Sequence, residues 1–378
     1  MGRMSATQGW SAALLFLGIG CGGSSGALAD GGGPDAPITC AQGASAWTAH
    51  TVRPSWPPGL WHTALASDLD RGEVLLFGGI LAEPGGRSNQ AWSWNGAAGT
   101  WTNRTPDPLP SSWPIARSDH AMTWDPVRRR VLMFGGELDD FSNSDELWEW
   151  NGGDGTWTNL TPAQRPAAWP EGRYSHGTTY DVARGRLIVV DGFGPLSWPG
   201  YAGDVWEWNS ADGKWKDRTP TPLPAAWPEP RQSMAVAYDA ARQRVLMFGG
   251  WSNVLRDDAW EWDGLSGTWT DRTPAVRPTA WPSVGLWTAM LFEPGRSRLV
   301  MLGGEVTRTE TTQIWEWNGA SGAWTDLAPV PLPAVWPPAR MTPVAAWDAA
   351  TGGSLFFGGQ PAPGDAPLND TWTWRCAE

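Results

Sequence analysis

Arg117-Ser-Asp-His-Ala-Met-Thr-Trp-Asp-Pro-Val-Arg-Arg-Arg-Val-Leu-Met-Phe-Gly-Gly136, followed after a polar loop by Leu147-Trp-Glu-Trp-Asn-Gly-Gly-Asp-Gly-Thr-Trp-Thr158, decides the fold. It reads as four short strands. His120 to Asp125 alternates, Val131-Leu-Met-Phe134 is a buried run stopped by two glycines, and Leu147-Trp-Glu-Trp150 places both tryptophans on one face by the two-residue period. Thr156-Trp-Thr158 is the fourth. Asp125-x-x-Arg128 and Asn151-Gly-Gly-Asp-Gly155 carry the turn chemistry between strands.

The same unit recurs along the chain. Trp-x-Trp stands at Trp92/Trp94, Trp148/Trp150, Trp206/Trp208, Trp260/Trp262, Trp315/Trp317 and Trp372/Trp374. An apolar run closed by Gly-Gly precedes five of the six pairs, and in the third copy Asp191 replaces the first glycine. A lone Trp follows each of the first five pairs (Trp101, Trp157, Trp215, Trp269, Trp324), and Trp-Pro recurs at Trp56, Trp113, Trp169, Trp227, Trp281 and Trp336. This register accounts for most of the 31 tryptophans. Four strands per unit and a repeat in the fifties predict an all-β, six-bladed β-propeller with four antiparallel strands per blade. Large indoles would fill the wedges between blades. The sixth copy stops after Trp372-Thr-Trp374 and lacks its fourth strand, whereas Ala46-Trp47-Thr48 precedes the first Trp-Pro. The N-terminal strand is therefore expected to complete the C-terminal blade, which leaves only short, protected sheet edges.

The pattern resembles the Kelch-repeat family over residues 46–378. The matching features are the Gly-Gly, the aromatic of the third strand, the Trp of the fourth, and the Arg-x-x-His that opens the first (Arg117/His120, Arg173/His176). Trp-x-Trp in place of a Tyr and the added Trp-Pro mark a divergent, bacterial-type branch.

Composition bounds the function. A net charge of −12 argues against nucleic acid or anionic lipid as the partner. Residues 1–29 read as a signal peptide. Its nine-residue apolar core, Ala12 to Gly20, is too short for a mature span. Two processing routes stay open: lipidation at Cys21 after cleavage at 20/21, or ordinary cleavage at 29/30 after Ala27-Leu28-Ala29. Residues 30–45 read as a flexible linker. The mature protein is expected outside the cytoplasm, in a bacterial periplasm, on an outer membrane or secreted. It would be monomeric and touch membrane only through a lipid at Cys21. Cys40 and Cys376 flank the closing strands, so a Cys40–Cys376 disulfide is expected in that oxidising compartment.

Strand direction alternates, so the second-to-third loops and the fourth-to-first linkers share one face with the mouth of the central channel. Long variable loops on a rigid scaffold are where binding concentrates. Arg117, Arg173, Arg231 and Arg340, with His62, His120 and His176, are the candidate ring at that mouth. They read either as a polar funnel for an anionic or hydroxyl-rich ligand, or as structural groups bonding backbone carbonyls between blades. Repetition favours the structural role. The Trp-Pro indoles read better as inter-blade packing than as sugar-stacking platforms, and Glu149, Glu207, Glu261 and Glu316 as solvent-facing or Arg-paired. No cofactor or metal is expected, because the four His have no zinc spacing and the acidic loop from Glu137 to Asp145 lacks a calcium-loop pattern. The leading expectation is an exported, non-catalytic module that binds a protein or glycan through its loop face. The alternative, which rests on likeness to bacterial periplasmic Kelch proteins, is a sugar-acid mutarotase or epimerase with its site at the channel mouth. It would use the Arg and His groups with Glu137 or Glu305.

Overall fold

A computed structural model describes residues 45–82, 85–194, 200–283, 285–306, 309–310, 313–329 and 331–376. Those residues contain strands and turns and no helix. Cys21, Cys40 and the expected signal peptide lie outside them.

Six four-stranded antiparallel sheets form the blades. The second blade runs Ala121–Asp125, Arg130–Phe134, Leu147–Asn151 and Thr156–Asn159, as its sequence predicts. The innermost strands of the others are Ala64–Asp68, Gly177–Asp181, Ala235–Asp239, Ala289–Glu293 and Val344–Asp348. Each innermost strand contacts the next, and the last contacts the first, so the sheets close around a central channel. The closure is the expected one. Ser45–His50 pairs antiparallel with Thr371–Cys376, with Trp47 opposite Trp374. That is the register the lone Trp takes in every other blade: Trp101 faces Trp94, Trp157 faces Trp150 and Trp269 faces Trp262.

The indoles are the mortar. The second Trp of each pair is almost wholly buried, and in four blades its ring lies tilted against its cross-strand partner, at 5.4 Å for Trp94–Trp101 and 5.1 Å for Trp317–Trp324. Offset geometry suits the aromatic quadrupole better than a face-to-face sandwich. Linker indoles add a further layer: Trp113 meets Trp150 and Trp281 meets Trp317. Their Nε1–H groups donate to carbonyls of the preceding blade, Trp113 to Asn89 at 2.8 Å and Trp281 to Asp257 at 2.8 Å. Trp56, Trp113, Trp227 and Trp281 are buried, in keeping with inter-blade packing.

Glycine pairs let neighbouring blades approach closely. Gly135 has φ +72°, and a Cβ there would lie 2.6 Å from the Arg173 carbonyl of the next blade. Gly136 N–H donates to that same carbonyl at 2.9 Å, and Gly79 and Gly192 repeat the bond to Arg117 and Arg231. Asp191 keeps the left-handed φ, +55°, without being glycine. Its buried carboxylate accepts the amides of Gly192, Gly203 and Arg231, whose pull is outweighed by burial, so its pKa rises to about 7.

Candidate functional site

The channel mouth is built from the four residues that lead into each innermost strand. The first of the four is Leu60, Arg117, Arg173, Arg231, Gly285 or Arg340 around the ring. All four arginines are almost wholly buried. Each bonds within its own blade in one repeated way. Nε donates to the carbonyl two residues back (Ile115, Glu171, Glu229, Pro338), and Nη1 donates to the carbonyl that closes the second strand (Gly135, Asp191, Gly249, Gly358). The fork then meets a carboxylate at the foot of the third strand. Arg117 pairs with Glu146 at 2.7 Å, and Arg173, Arg231 and Arg340 pair with Asp204, Asp258 and Asp370 at 2.5 Å. That carboxylate also accepts the indole N–H of the first Trp of the pair in each case, as in Trp206 to Asp204 at 2.7 Å. The arginines thus tie three strands of a blade together beneath the mouth rather than lining it.

The third residue of each lead-in carries a left-handed backbone: His62, Asp119, Ser175, Ser233, Trp287 and Thr342 all have φ between 50° and 58°. Five of these are joined head to tail around the channel. Asp119 N–H donates to the His62 carbonyl, Ser175 to Asp119, Ser233 to Ser175 and Trp287 to Ser233, at 2.8–3.2 Å. Left-handed non-glycine residues cost of order 1–3 kcal/mol each and cluster at functional sites.

This ring encloses a cavity of about 170 Å³ at the channel mouth. His62, His120 and His176 line it, whereas none of the four arginines does. His62 Nδ1 lies 2.5 Å from Asp119 Oδ1, and Ser175 and Ser118 donate to the two Asp119 oxygens at 3.0 Å each. Burial works to raise the Asp119 pKa, but His62 and the two hydroxyls outweigh it and hold it below the usual range. Trp61 and Trp287 flank the imidazole at 4.7 and 5.7 Å. Below them, His120 and His176 pack edge-on against Phe77 and Phe134. Burial first, then the adjacent Arg117 or Arg173 charge, lowers both pKa values to about 3. Both rings are therefore neutral at physiological pH; the Phe77 backbone meets His120, and His176 has no hydrogen-bond partner among the described residues. Asp119, Ser175 and Trp287 escape a sequence reading because their shared property is a backbone angle, not a residue type.

Around the mouth the loop face presents aromatic side chains from several blades. Trp61, Tyr174, Phe193, Trp251 and Trp287 are half-buried, and Phe141 is 76% exposed with the Arg87 guanidinium 5.2 Å from its ring centroid. Glu137 is ion-paired to Arg87, and the Glu305 side chain lies outside the described residues. Glu149, Glu207, Glu261 and Glu316 pair with Arg128, Arg184, Arg242 and Arg296. At the other end, the channel widens into a cavity of about 250 Å³ walled by Trp124, Tyr180, Tyr238, Phe292 and Trp347. Among the described residues no group of three or more His, Cys, Asp or Glu could hold a metal ion. Cys376 is disulfide-bonded.

The family model of the KLHDC2/KLHL20/DRC7 Kelch-repeats domain matches residues 61–291. No curated protein matches the chain significantly. With the repeat, the six closed blades and this match in hand, the chain belongs to the Kelch-repeat β-propeller family.

Proposed function

We propose that this propeller is an exported, non-catalytic module that binds a protein or glycan through its loop face. Kelch propellers generally mediate protein interactions. The observation that carries the reading here is the aromatic rim around the mouth, set above arginines already committed to their own blades. Aromatic side chains are enriched where surfaces recognise partners. The arginines have no unpaired face to offer. In this reading residues 1–29 direct export, cleavage at 20/21 anchors the chain through a lipid at Cys21 or cleavage after Ala29 releases it, and a Cys40–Cys376 disulfide locks the shared blade of a monomer. The test applies the purified protein to glycan and peptide arrays beside Phe141→Asp and Trp251→Asp variants. Binding lost in the variants while the fold survives supports the loop face. Binding unchanged in both sinks it.

One geometry favours the second reading, an enzyme acting on a sugar acid. A carboxylate orients the His62 imidazole inside a cavity, as a general base requires. Against it, Arg117, Arg173, Arg231 and Arg340 are bound to carboxylates of their own and do not reach the cavity to hold an acid group. Anomer exchange of a sugar acid, followed by NMR with wild type and His62→Asn, decides between the readings.

A further inference from the structure

The lead-in residues repeat in two different ways. Arginine recurs at the first position of four blades, because a structural bond recurs there. The third position repeats its backbone in all six blades but its side chain in only some: His62, Asp119, Ser175, Ser233, Trp287 and Thr342 share a left-handed φ, while three are hydroxyls and the others differ. Glycine would hold that angle without strain. A bulky indole at Trp287 and a β-branched Thr342 hold it against their preference. Side chains kept in a strained conformation, of five different types and all lining one cavity, point to the cavity.

The polar groups below tell what would fit. His120 and His176 are 5% and 7% exposed and line the cavity; His120 is held by the Phe77 backbone, whereas both ring nitrogens of His176 are unpartnered among the described residues. Thr288 Oγ1 and Thr342 Oγ1, from two other blades, are buried and unpartnered in the same way. Buried polar atoms in a native fold are normally hydrogen-bonded, so such a cluster calls for a guest. Neutral imidazoles and hydroxyls offer donors and acceptors but no charge. Among the described lining residues Asp119 is the carboxylate, and it is already met by His62, Ser118 and Ser175. At about 30 Å³ per water the space holds roughly six waters, or one ring, but not a chain of rings. Trp287, which lines the cavity beside His62, supplies aromatic surface for the face of such a ring.

We infer that the hub cavity is a binding site for a single uncharged, polyhydroxylated ring such as a neutral sugar residue. This deepens the loop-face reading and rests on it only in placing recognition on that face. His62 Nε2 accepts a ligand hydroxyl while Nδ1–H donates to Asp119. His176, Thr288 and Thr342 complete the ligand's hydrogen bonds.

The experiment titrates the whole purified protein with methyl glycosides of neutral hexoses, with glucuronate and with glucosamine, by calorimetry and histidine-detected NMR. A neutral glycoside should bind and shift the His62, His120 and His176 signals, and both charged analogues should bind at least about tenfold more weakly. Thr288→Val, which removes only the hydroxyl, and His62→Asn, whose side chain tolerates a left-handed backbone, should each weaken binding roughly tenfold. Leu265→Ser, on an exposed turn of the opposite face, should leave it unchanged. Thermal midpoints of all variants confirm that each is folded. No neutral glycoside binding at tens of millimolar, or glucuronate binding best, overturns the inference. Array binding that depends on Phe141 and Trp251 would then survive as a separate result. Conversely, glycoside binding with silent arrays would keep the hub and remove the loop face.

Discussion

Replacing Arg173 by Met separates an arginine that holds the scaffold from one that waits for a ligand. The side chain is 2% exposed and donates to the Glu171 carbonyl at 3.1 Å, the Asp191 carbonyl at 3.0 Å and both Asp204 oxygens at 2.5 and 2.9 Å. Methionine keeps the apolar stem, so the cavity contribution is small and the loss is electrostatic. Removing one partner of a buried pair costs about 3–5 kcal/mol, because the other charge stays behind uncompensated. At roughly 2–4 °C per kcal/mol for a large domain, the midpoint should fall by about 10 °C. The double variant Arg173→Met/Asp204→Leu should recover much of that, since two well-packed apolar groups can replace a buried pair at little cost. The assay is thermal and urea unfolding of the single, the double and the parent. A single variant within about 1 °C of the parent, or a double variant no better than the single, refutes the structural assignment.

Gly135→Ala should destabilise by more than about 2 kcal/mol, because it adds a clash with the Arg173 carbonyl to a left-handed φ. Gly213→Ala, with φ +69° and open space, should lose only about 1 kcal/mol, and urea midpoints compare the two. Trp262→Ala, at 0% exposure between Trp227 and Trp269, should cost about 3–5 kcal/mol in the same assay. Stability should also fall on acidification. His120 and His176 are neutral in the fold down to about pH 3 but protonate in the unfolded chain below 6.5. The unfolded state therefore takes up the extra protons, and each His withdraws about 1.4 kcal/mol per pH unit between 6.5 and 3. Urea midpoints measured from pH 7 to 4 should decline less in a His120→Gln/His176→Gln variant, and an equal slope contradicts the burial of these rings.

Six blades, their strands and the shared closing blade are legible in the sequence because tryptophan and glycine recur for reasons of packing. Trp47 falls opposite Trp374 for the same reason that Trp101 falls opposite Trp94. The arginines are legible as a series at the mouth, and their partners also leave a trace. The residue two before the first Trp of the pair is Glu146, Asp204, Asp258 or Asp370 in the blades that carry arginine. It is Gln90 or Gln313 where the slot holds Leu60 or Gly285. That covariation within one chain identifies the ion pairs without coordinates. The hub is harder to read. Its residues follow no common type, and the His62–Asp119 pair joins adjacent blades through a backbone angle that Gly signals far more often than Trp or Thr. Asp191, an apparent break in the Gly-Gly pattern, keeps the glycine-like angle by bonding its carboxylate to three local amides.

The chain has four histidines, so imidazole NMR followed through a pH titration reports on the hub directly. His120 and His176 should stay neutral from pH 7 to 4, in line with values near 3, and His62 should show an Nδ1 proton hydrogen-bonded to a carboxylate. Titration of His120 and His176 near 6.5, or a His62 with no Nδ1 proton, would mean that the channel mouth is not built as described.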